Sequence, residues 1–358
     1  MIPLHKPFVP SWEMLGPALR RVYESGQISQ GAEVEEFERR FGDFVGNRNV
    51  VAVSSCTAAL HLALELSGAR GGEVVSTPMT AEPTNLAIHH AGAQVRWADV
   101  DPLTGNVTRE TVEEAMQSCQ HLRTVMVVHY GGIPVDKTIG DLGQLYNVPI
   151  VEDCAHALGA SSIGWGDYQC YSFQAIKHMT TGGEGGALVI PNANDETMRC
   201  ARNLRWFGID RAAPRTSIGI EETGWKYNLT NAQAAFGLVS LPYLVKNLLI
   251  QRDNCKFLER ELKHLSGVIV YEAKQYNPYL FFTILAEGRD DLARKLRERG
   301  VECGQIHRRN DEHPVFAYAK RKLPGLDVYY SKMLHIPCGF WVTPEDRQYI
   351  VDVIKSGW

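Results

Sequence analysis

One pattern restricts this chain more than any other. Short apolar runs at residues 50–53, 74–76, 95–98, 125–128, 149–151 and 187–190 are separated by stretches of helical spacing such as 57–66. A run this short and rich in Val is apolar on both faces, which suits a strand covered by helices on either side. The intervening helical stretches supply the crossovers that parallel strands need. A large three-layer α/β domain with a mostly parallel sheet is therefore predicted. Two amphipathic helices precede it: 14–25, with Leu15, Leu19 and Val22 on one side and Gly26 placed to stop it, and 33–45.

From Asn231 the alternation gives way to a long helical stretch, 231–265, with a break expected at Pro242. A strand over 279–285 and helices over 290–299 and 344–354 follow, the pattern of a smaller C-terminal α/β domain. No internal repeat or Pro/Gly/Ser-rich linker divides the chain, so the second lobe must be entered through an ordered element. The boundary is expected near Leu241, giving domains of residues 1–240 and 241–358.

Charge narrows the partners. With 37 basic and 41 acidic residues, the formal net charge is −4. No global positive field exists to hold a polyanion, so nucleic acid is not an expected partner. Met1 to Pro7 lacks a charged segment followed by an apolar run, and no stretch approaches the roughly 18 apolar residues of a membrane helix. A cytoplasmic protein with no membrane partner is expected. The eight cysteines form no CxxC or close Cys/His pair, so reduced thiols are expected and no metal site.

Three stretches could carry chemistry. In Val53-Ser54-Ser55-Cys56-Thr57-Ala58, a strand passes into a helix through small hydroxyl residues; the free N–H groups there, with the Ser55 and Thr57 hydroxyls, suit a phosphate, although the same residues are ordinary helix caps. In Val151-Glu152-Asp153-Cys154-Ala155-His156, two acids and a histidine follow a buried strand. Carboxyl ends of strands face the ligand crevice of an open α/β sheet, and alternation should send Glu152 and Asp153 to opposite faces, with Asp153 the better candidate for reaching a ligand. In the third, Lys177 stands between the aromatic run from Tyr171 and the glycines at 182, 183, 185 and 186. Lysine precedes these glycines, whereas a Walker loop has it after them, so nucleotide hydrolysis is not expected. A lysine able to condense with an aldehyde, an acid able to pair with a pyridinium nitrogen and a hydroxyl-rich helix start together suggest pyridoxal 5′-phosphate.

Across these stretches and beyond, the chain resembles the DegT/DnrJ/EryC1/StrS family of sugar aminotransferases, of the aspartate aminotransferase fold type I. The matching segments run from Ile2-Pro3-Leu4-His5-Lys6-Pro7 through Gly26-Gln27-Ile28-Ser29-Gln30-Gly31, Ser55-Cys56-Thr57-Ala58-Ala59-Leu60, Ala98-Asp99-Val100-Asp101-Pro102 and Glu152-Asp153-Cys154-Ala155-His156. They continue with Ser172-Phe173, Lys177, and Trp225-Lys226-Tyr227-Asn228-Leu229-Thr230. The resemblance implies that Lys177 binds the cofactor covalently and later shuttles a proton, that Asp153 pairs with the pyridinium, and that His156 lies near the cofactor's phenolic oxygen. It implies a phosphate site made by Cys56, Thr57 and Ser172, beside the Ser55 hydroxyl noted above, with Asn228 and Lys226 reaching across from a second subunit of a homodimer. It further implies transfer of an amino group from L-glutamate to a keto sugar of a nucleotide-sugar, with Lys6, Ser29, Arg205, His307 and Arg308 near that substrate and Arg211 a further source of positive charge.

Three departures bear on substrate fit. Many members place an aromatic ring over the cofactor where this chain has Met79-Thr80-Ala81-Glu82-Pro83; residues 161–167 are abbreviated; and Glu184 stands where aspartate is common. Alternatives are a relative acting on a cyclitol ketone or an aminoshikimate-type precursor, a sugar dehydratase, which would have histidine at the lysine position, and a regulatory protein that keeps the fold without the chemistry. His178, adjacent to Lys177, keeps the dehydratase alternative open at the level of sequence.

Overall fold

The computed structural model describes residues 1–211, 213–214, 216, 218–273 and 277–358. Its larger sheet has seven strands: β1 (Val50–Val53), β2 (Glu73–Ser76), β3 (Gln94–Trp97), β4 (Leu122–Val128), β5 (Ile150–Asp153), β6 (Tyr168–Ser172) and β7 (Gly186–Val189). Their spatial order is β1-β7-β6-β5-β4-β2-β3, and β7 alone runs antiparallel to its neighbours. Six of these strands coincide with the Val-rich runs. The seventh, β6, has the mixed sequence Tyr-Gln-Cys-Tyr-Ser and is missing from the sequence-based expectation. Its Gln169 is buried because Nε2 donates to the Gly166 carbonyl at 3.2 Å, so a polar side chain sits in a strand covered on both faces.

Helices cover both sides of this sheet. On one side α3 (Cys56–Leu66) packs Leu60, Leu62 and Leu64 with Val51, Val74 and Val125. On the other, α2 (Ala32–Val45) and the first half of α8 (Asn231–Leu262) set Val34, Phe37, Phe41, Leu244 and Leu248 against Val50, Ala52, Phe173 and Ala187. Phe173 meets Phe37 edge to face at 5.3 Å between ring centres. The expected three layers are thus formed.

The C-terminal lobe is built on a second, antiparallel sheet of β8 (Val268–Val270), β9 (Phe282–Ala286) and β10 (Met333–Ile336), in the order β10-β9-β8. Against it lie α9 (Arg289–Glu298) and α11 (Pro344–Lys355), which contribute Leu292, Leu296, Ile350 and Ile354 to a separate core. The expected break at Pro242 does not occur: α8 is a single helix of 32 residues. A proline forfeits one backbone bond. Here the helix is held along both halves, by Leu244 and Leu248 in the sheet core and by Cys255, Leu258 and Leu262 in the C-terminal core. Leu241, the expected boundary, therefore falls inside an element shared by both lobes. An 18-residue window of α8 is apolar enough to cross a membrane by composition, which the sequence reading did not anticipate. Its buried Gln251 and Asn254 donate to the carbonyls of Tyr279 and of Cys338, Gly339 and Val342, so these polar groups are satisfied by the C-terminal lobe.

Candidate active site

A cavity of about 400 Å³ opens at the carboxyl ends of β1, β5 and β6, where the first turns of α3 and of α4 (Glu82–His90) converge. Ser55, Cys56, Thr57, Asp153, Ser172, Lys177 and His307 line it, with Ala81, Glu82, Pro83, Thr84 and Glu184. The order of the sheet explains the gathering. In sequence β1 and β6 are far apart, yet β7 alone separates them, so the residues that follow each strand meet over one crevice.

The start of α3 is brought against β7 by a glycine. A Cβ on Gly186 would stand 2.6 Å from the Cys56 nitrogen and 2.5 Å from the Ser55 carbonyl carbon, so no other residue fits without moving the helix. Ser55 caps α3, its hydroxyl accepting from Ala58 N–H at 3.1 Å. The cap and the phosphate readings of this stretch are compatible, since the cap leaves the helix N-terminus facing the cavity. The Cys56 side chain does not face an anion site: its Sγ lies 3.9 Å from Asp153 Oδ1, and burial beside that carboxylate pushes the thiol well above its usual range. Only the Cys56 main chain is then left for a phosphate.

Lys177 reaches the cavity and His178 does not line it, which answers the one-residue ambiguity. Among the described residues the Lys177 ammonium has neither a hydrogen bond nor an ion pair. Burial lowers its pKa from 10.5 to about 8, partly opposed by the negative charge of Asp153 and by Cys56. A lysine in that range is a usable nucleophile near neutrality.

Asp153 and Glu152 face opposite ways, as alternation requires. Asp153 borders the cavity, with Oδ1 accepting from Ala155 N–H at 3.0 Å and Oδ2 from the Thr84 hydroxyl at 2.8 Å. Burial raises its pKa, while these bonds and Lys177 work the other way. Glu152 turns into the protein, where His129 Nε2 lies 2.9 Å from its Oε2 and the Gly164 and Gly166 N–H groups donate to it at 3.0 and 2.6 Å. His129, Glu152 and Cys154 are close enough together to suggest a metal. However, His129 Nδ1 accepts from Val135 N–H at 3.1 Å, so Nε2 carries the proton donated to Glu152 and no ring lone pair is left. The group instead anchors the shortened 161–167 turn.

Not every residue expected in the site arrives there. His156 is buried behind His307, the rings stacked at 5.7 Å, and its Nδ1 accepts from Gly131 N–H at 3.3 Å, which leaves Nε2 as the donor. Arg205 is not available to a substrate. It is buried, and its guanidinium is committed to Glu38 at 2.7 Å and to the Ala52 carbonyl at 2.8 Å. His307 lines the cavity but brings no charge, since burial and the neighbouring Lys177 hold its pKa near 3. Arg308 is exposed and paired with Glu312 at 3.1 Å, Lys6 is exposed, and the Ser29 carbonyl accepts from Asn231 N–H at the start of α8. Asn228 and Lys226 do not line this chain's cavity; Lys226 Nζ lies 3.1 Å from the centre of the Trp206 ring, and Arg211 lies over the same ring at 4.5 Å.

Sequence reasoning missed Thr84 and Glu82 as cavity residues. Both belong to the first turn of α4, which begins inside the 79–83 segment where many family members carry an aromatic ring, and among the described lining residues there is no Phe, Tyr or Trp.

A sequence model of the DegT/DnrJ/EryC1/StrS aminotransferase family matches residues 13–355. The chain belongs to this family. It is an aminotransferase, and pyridoxal 5′-phosphate is its cofactor. Among solved structures, AtS13 from Actinomadura melliaura superposes with a TM-score of 0.94 at 36% identity, covering 100% of this chain and 99% of that one. The sugar aminotransferase CalS13 from Micromonospora echinospora gives 0.92 at 35% identity, with both chains covered completely (100%). A UDP-4-amino-4,6-dideoxy-N-acetyl-beta-L-altrosamine transaminase of Campylobacter jejuni is 28% identical over 95% of this chain and 93% of its own length.

Proposed function

We propose that this aminotransferase moves an amino group from L-glutamate to a keto sugar carried on a nucleoside diphosphate. The observation that carries the reading is the single cavity in which Lys177, Asp153 and the open start of α3 meet. A related solved enzyme named as a sugar aminotransferase and a relative named for a UDP-amino sugar support the substrate class. Bound there, pyridoxal phosphate supplies an electron sink for breaking the Cα–H bond of an amine.

The residues fit that group. The Lys177 amine, with its lowered pKa, would hold the cofactor and, when free, would serve as the base that holds or gives up a proton beside it. Asp153 would keep the ring nitrogen protonated; His156, buried behind His307 and outside the cavity lining, is given no contact with the cofactor. The Cys56 and Thr57 N–H groups and the Ser55, Thr57 and Ser172 hydroxyls, all at the cavity wall, would hold the phosphate. Asn228 and Lys226, absent from their own chain's cavity, complete the neighbouring one in a homodimer, which makes the dimer necessary for turnover. Positive charge for the diphosphate is left to the exposed Lys6 and Arg308, the latter giving up its surface pair with Glu312, and to Arg211 of the adjoining subunit, since His307 is neutral and Arg205 is spent. The enzyme is read as cytoplasmic, where nucleotide-sugars are made.

The test is to incubate the purified protein with pyridoxal phosphate, L-glutamate and a panel of 3-keto and 4-keto nucleotide-sugars, and to follow replacement of oxygen by an amine by mass spectrometry. Amination of at least one nucleotide-sugar is expected. Amination of a free cyclitol ketone, with no nucleotide-sugar converted, would overturn the substrate class and leave the aminotransferase.

A further inference from the structure

The Asp153 carboxylate is held by a short chain of hydroxyl groups that nothing in its own strand predicts. Thr84 Oγ1 lies 2.8 Å from Asp153 Oδ2, and Thr80 Oγ1 lies 3.1 Å from Thr84 Oγ1. Both threonines are almost fully buried. A hydroxyl has one proton to give. If Asp153 is an anion it can only accept, so Thr84 must donate to it and Thr80 must donate to Thr84. If Asp153 were protonated, its own proton could be given to Thr84 and the order would have no fixed direction.

The Thr80 segment is itself pinned from the other lobe. Asn310, completely buried, donates from Nδ2 to the Thr80 carbonyl at 2.9 Å, and its main-chain N–H donates to the Pro78 carbonyl at 2.8 Å. Its Oδ1 accepts from Asn85 Nδ2 at 2.8 Å, and Asn85 also holds the Thr77 carbonyl at 2.9 Å. The main chain that carries Thr80 is thereby held by residues from two lobes. The other groups facing the carboxylate are the Ala155 N–H, the Cys56 thiol, Lys177 and His129.

We propose that Thr84, oriented by Thr80, is a positioning residue that keeps Asp153 ionised, so that the cofactor's ring nitrogen keeps its proton. An ionised carboxylate offers about four lone-pair sites. Thr84 and Ala155 take one each and Cys56 makes a weak third contact, so a site remains for the ring N–H. A buried carboxylate that lost the Thr84 bond would be a stronger base and would draw the proton off the ring, weakening the electron sink. The inference rests on the assignment of Asp153 to the ring nitrogen.

The test compares the wild type, Thr84→Val, Thr84→Ser and Asp153→Asn, each loaded with pyridoxal phosphate. Two quantities are read: the pH at which the visible band of the bound cofactor titrates, and turnover. A neutral ring makes the nitrogen linking cofactor to Lys177 more basic, so Thr84→Val should raise the titration midpoint by about one pH unit and lower turnover roughly 10- to 100-fold. Thr84→Ser, which keeps the donor, should return both to near the wild-type values. A purely structural role for the threonine methyl would give the opposite pattern, with valine tolerated and serine harmful, and would overturn the inference. If Asp153→Asn shifts the midpoint and Thr84→Val does not, only the role of Thr84 fails; if neither moves it, the assignment of Asp153 fails as well. Should Thr84→Val not fold, Thr80→Val reads the same relay one step away. A smaller shift of the same sign is expected there, and no shift overturns the proposal.

Discussion

The amine of Lys177 can be probed before any cofactor is added. Burial brings its pKa from 10.5 to about 8, with the carboxylate of Asp153 acting against that fall. At pH 7 about one molecule in ten would then carry a neutral amine, against roughly 0.03% for an ordinary lysine, a gain of roughly 300-fold in nucleophile. The sign is fixed by the chemistry: the neutral form reacts, so reactivity rises with pH and levels off above the pKa. Replacing Asp153 with Asn removes the charge that favours the ammonium, so the midpoint should fall below that of the wild type. The assay is reductive methylation of the apoprotein with formaldehyde and a mild borane, quantified at Lys177 by peptide mass spectrometry from about pH 6 to about pH 10. Because only midpoints are compared, loss of cofactor affinity in Asp153→Asn does not interfere. A wild-type midpoint near that of an exposed lysine, or an upward move in Asp153→Asn, would refute the account of how burial and charge set this amine.

Other outcomes follow from the same geometry. A mixture of Asn228→Ala and Lys177→Ala subunits should regain about a quarter of wild-type activity if the two side chains serve one site from opposite subunits, since half the dimers are mixed and half of their sites intact; no recovery in verified mixed dimers contradicts the sharing. Arg205→Met should cost about 3–5 kcal/mol by urea denaturation, because it leaves Glu38 charged and largely buried without its partner. The KM for sugar substrate should stay unchanged in that variant, and a large rise would restore Arg205 to the substrate site. Asn310→Ala removes bonds to Thr80 and Asn85 and should lower stability by about 1–3 kcal/mol while raising KM for the sugar, because the loop that carries His307 loses its anchor.

The sequence by itself determined the layers and pointed to the stretches proposed to carry chemistry, because both are written locally. Val-rich runs give strands, the change from strand to hydroxyl residues at Ser55 gives a capped helix, and the order Asp153, Lys177, Asn228 carries the family pattern. It could not reveal β6, whose Gln169 is buried only because Gly166 is there to accept from it, nor the unbroken course of α8 through Pro242, which packing by two lobes sustains. The fate of the charged residues was decided only by tertiary structure. Arg205 looks like a free cation in sequence until Glu38 and the Ala52 carbonyl are found against it, and His307 looks chargeable until it is enclosed beside Lys177. The Thr84–Asp153 bond belongs to the same class, joining residues 69 apart. Propensity and pattern act over a few neighbours, whereas burial and charge pairing depend on what the fold brings close from elsewhere in the chain.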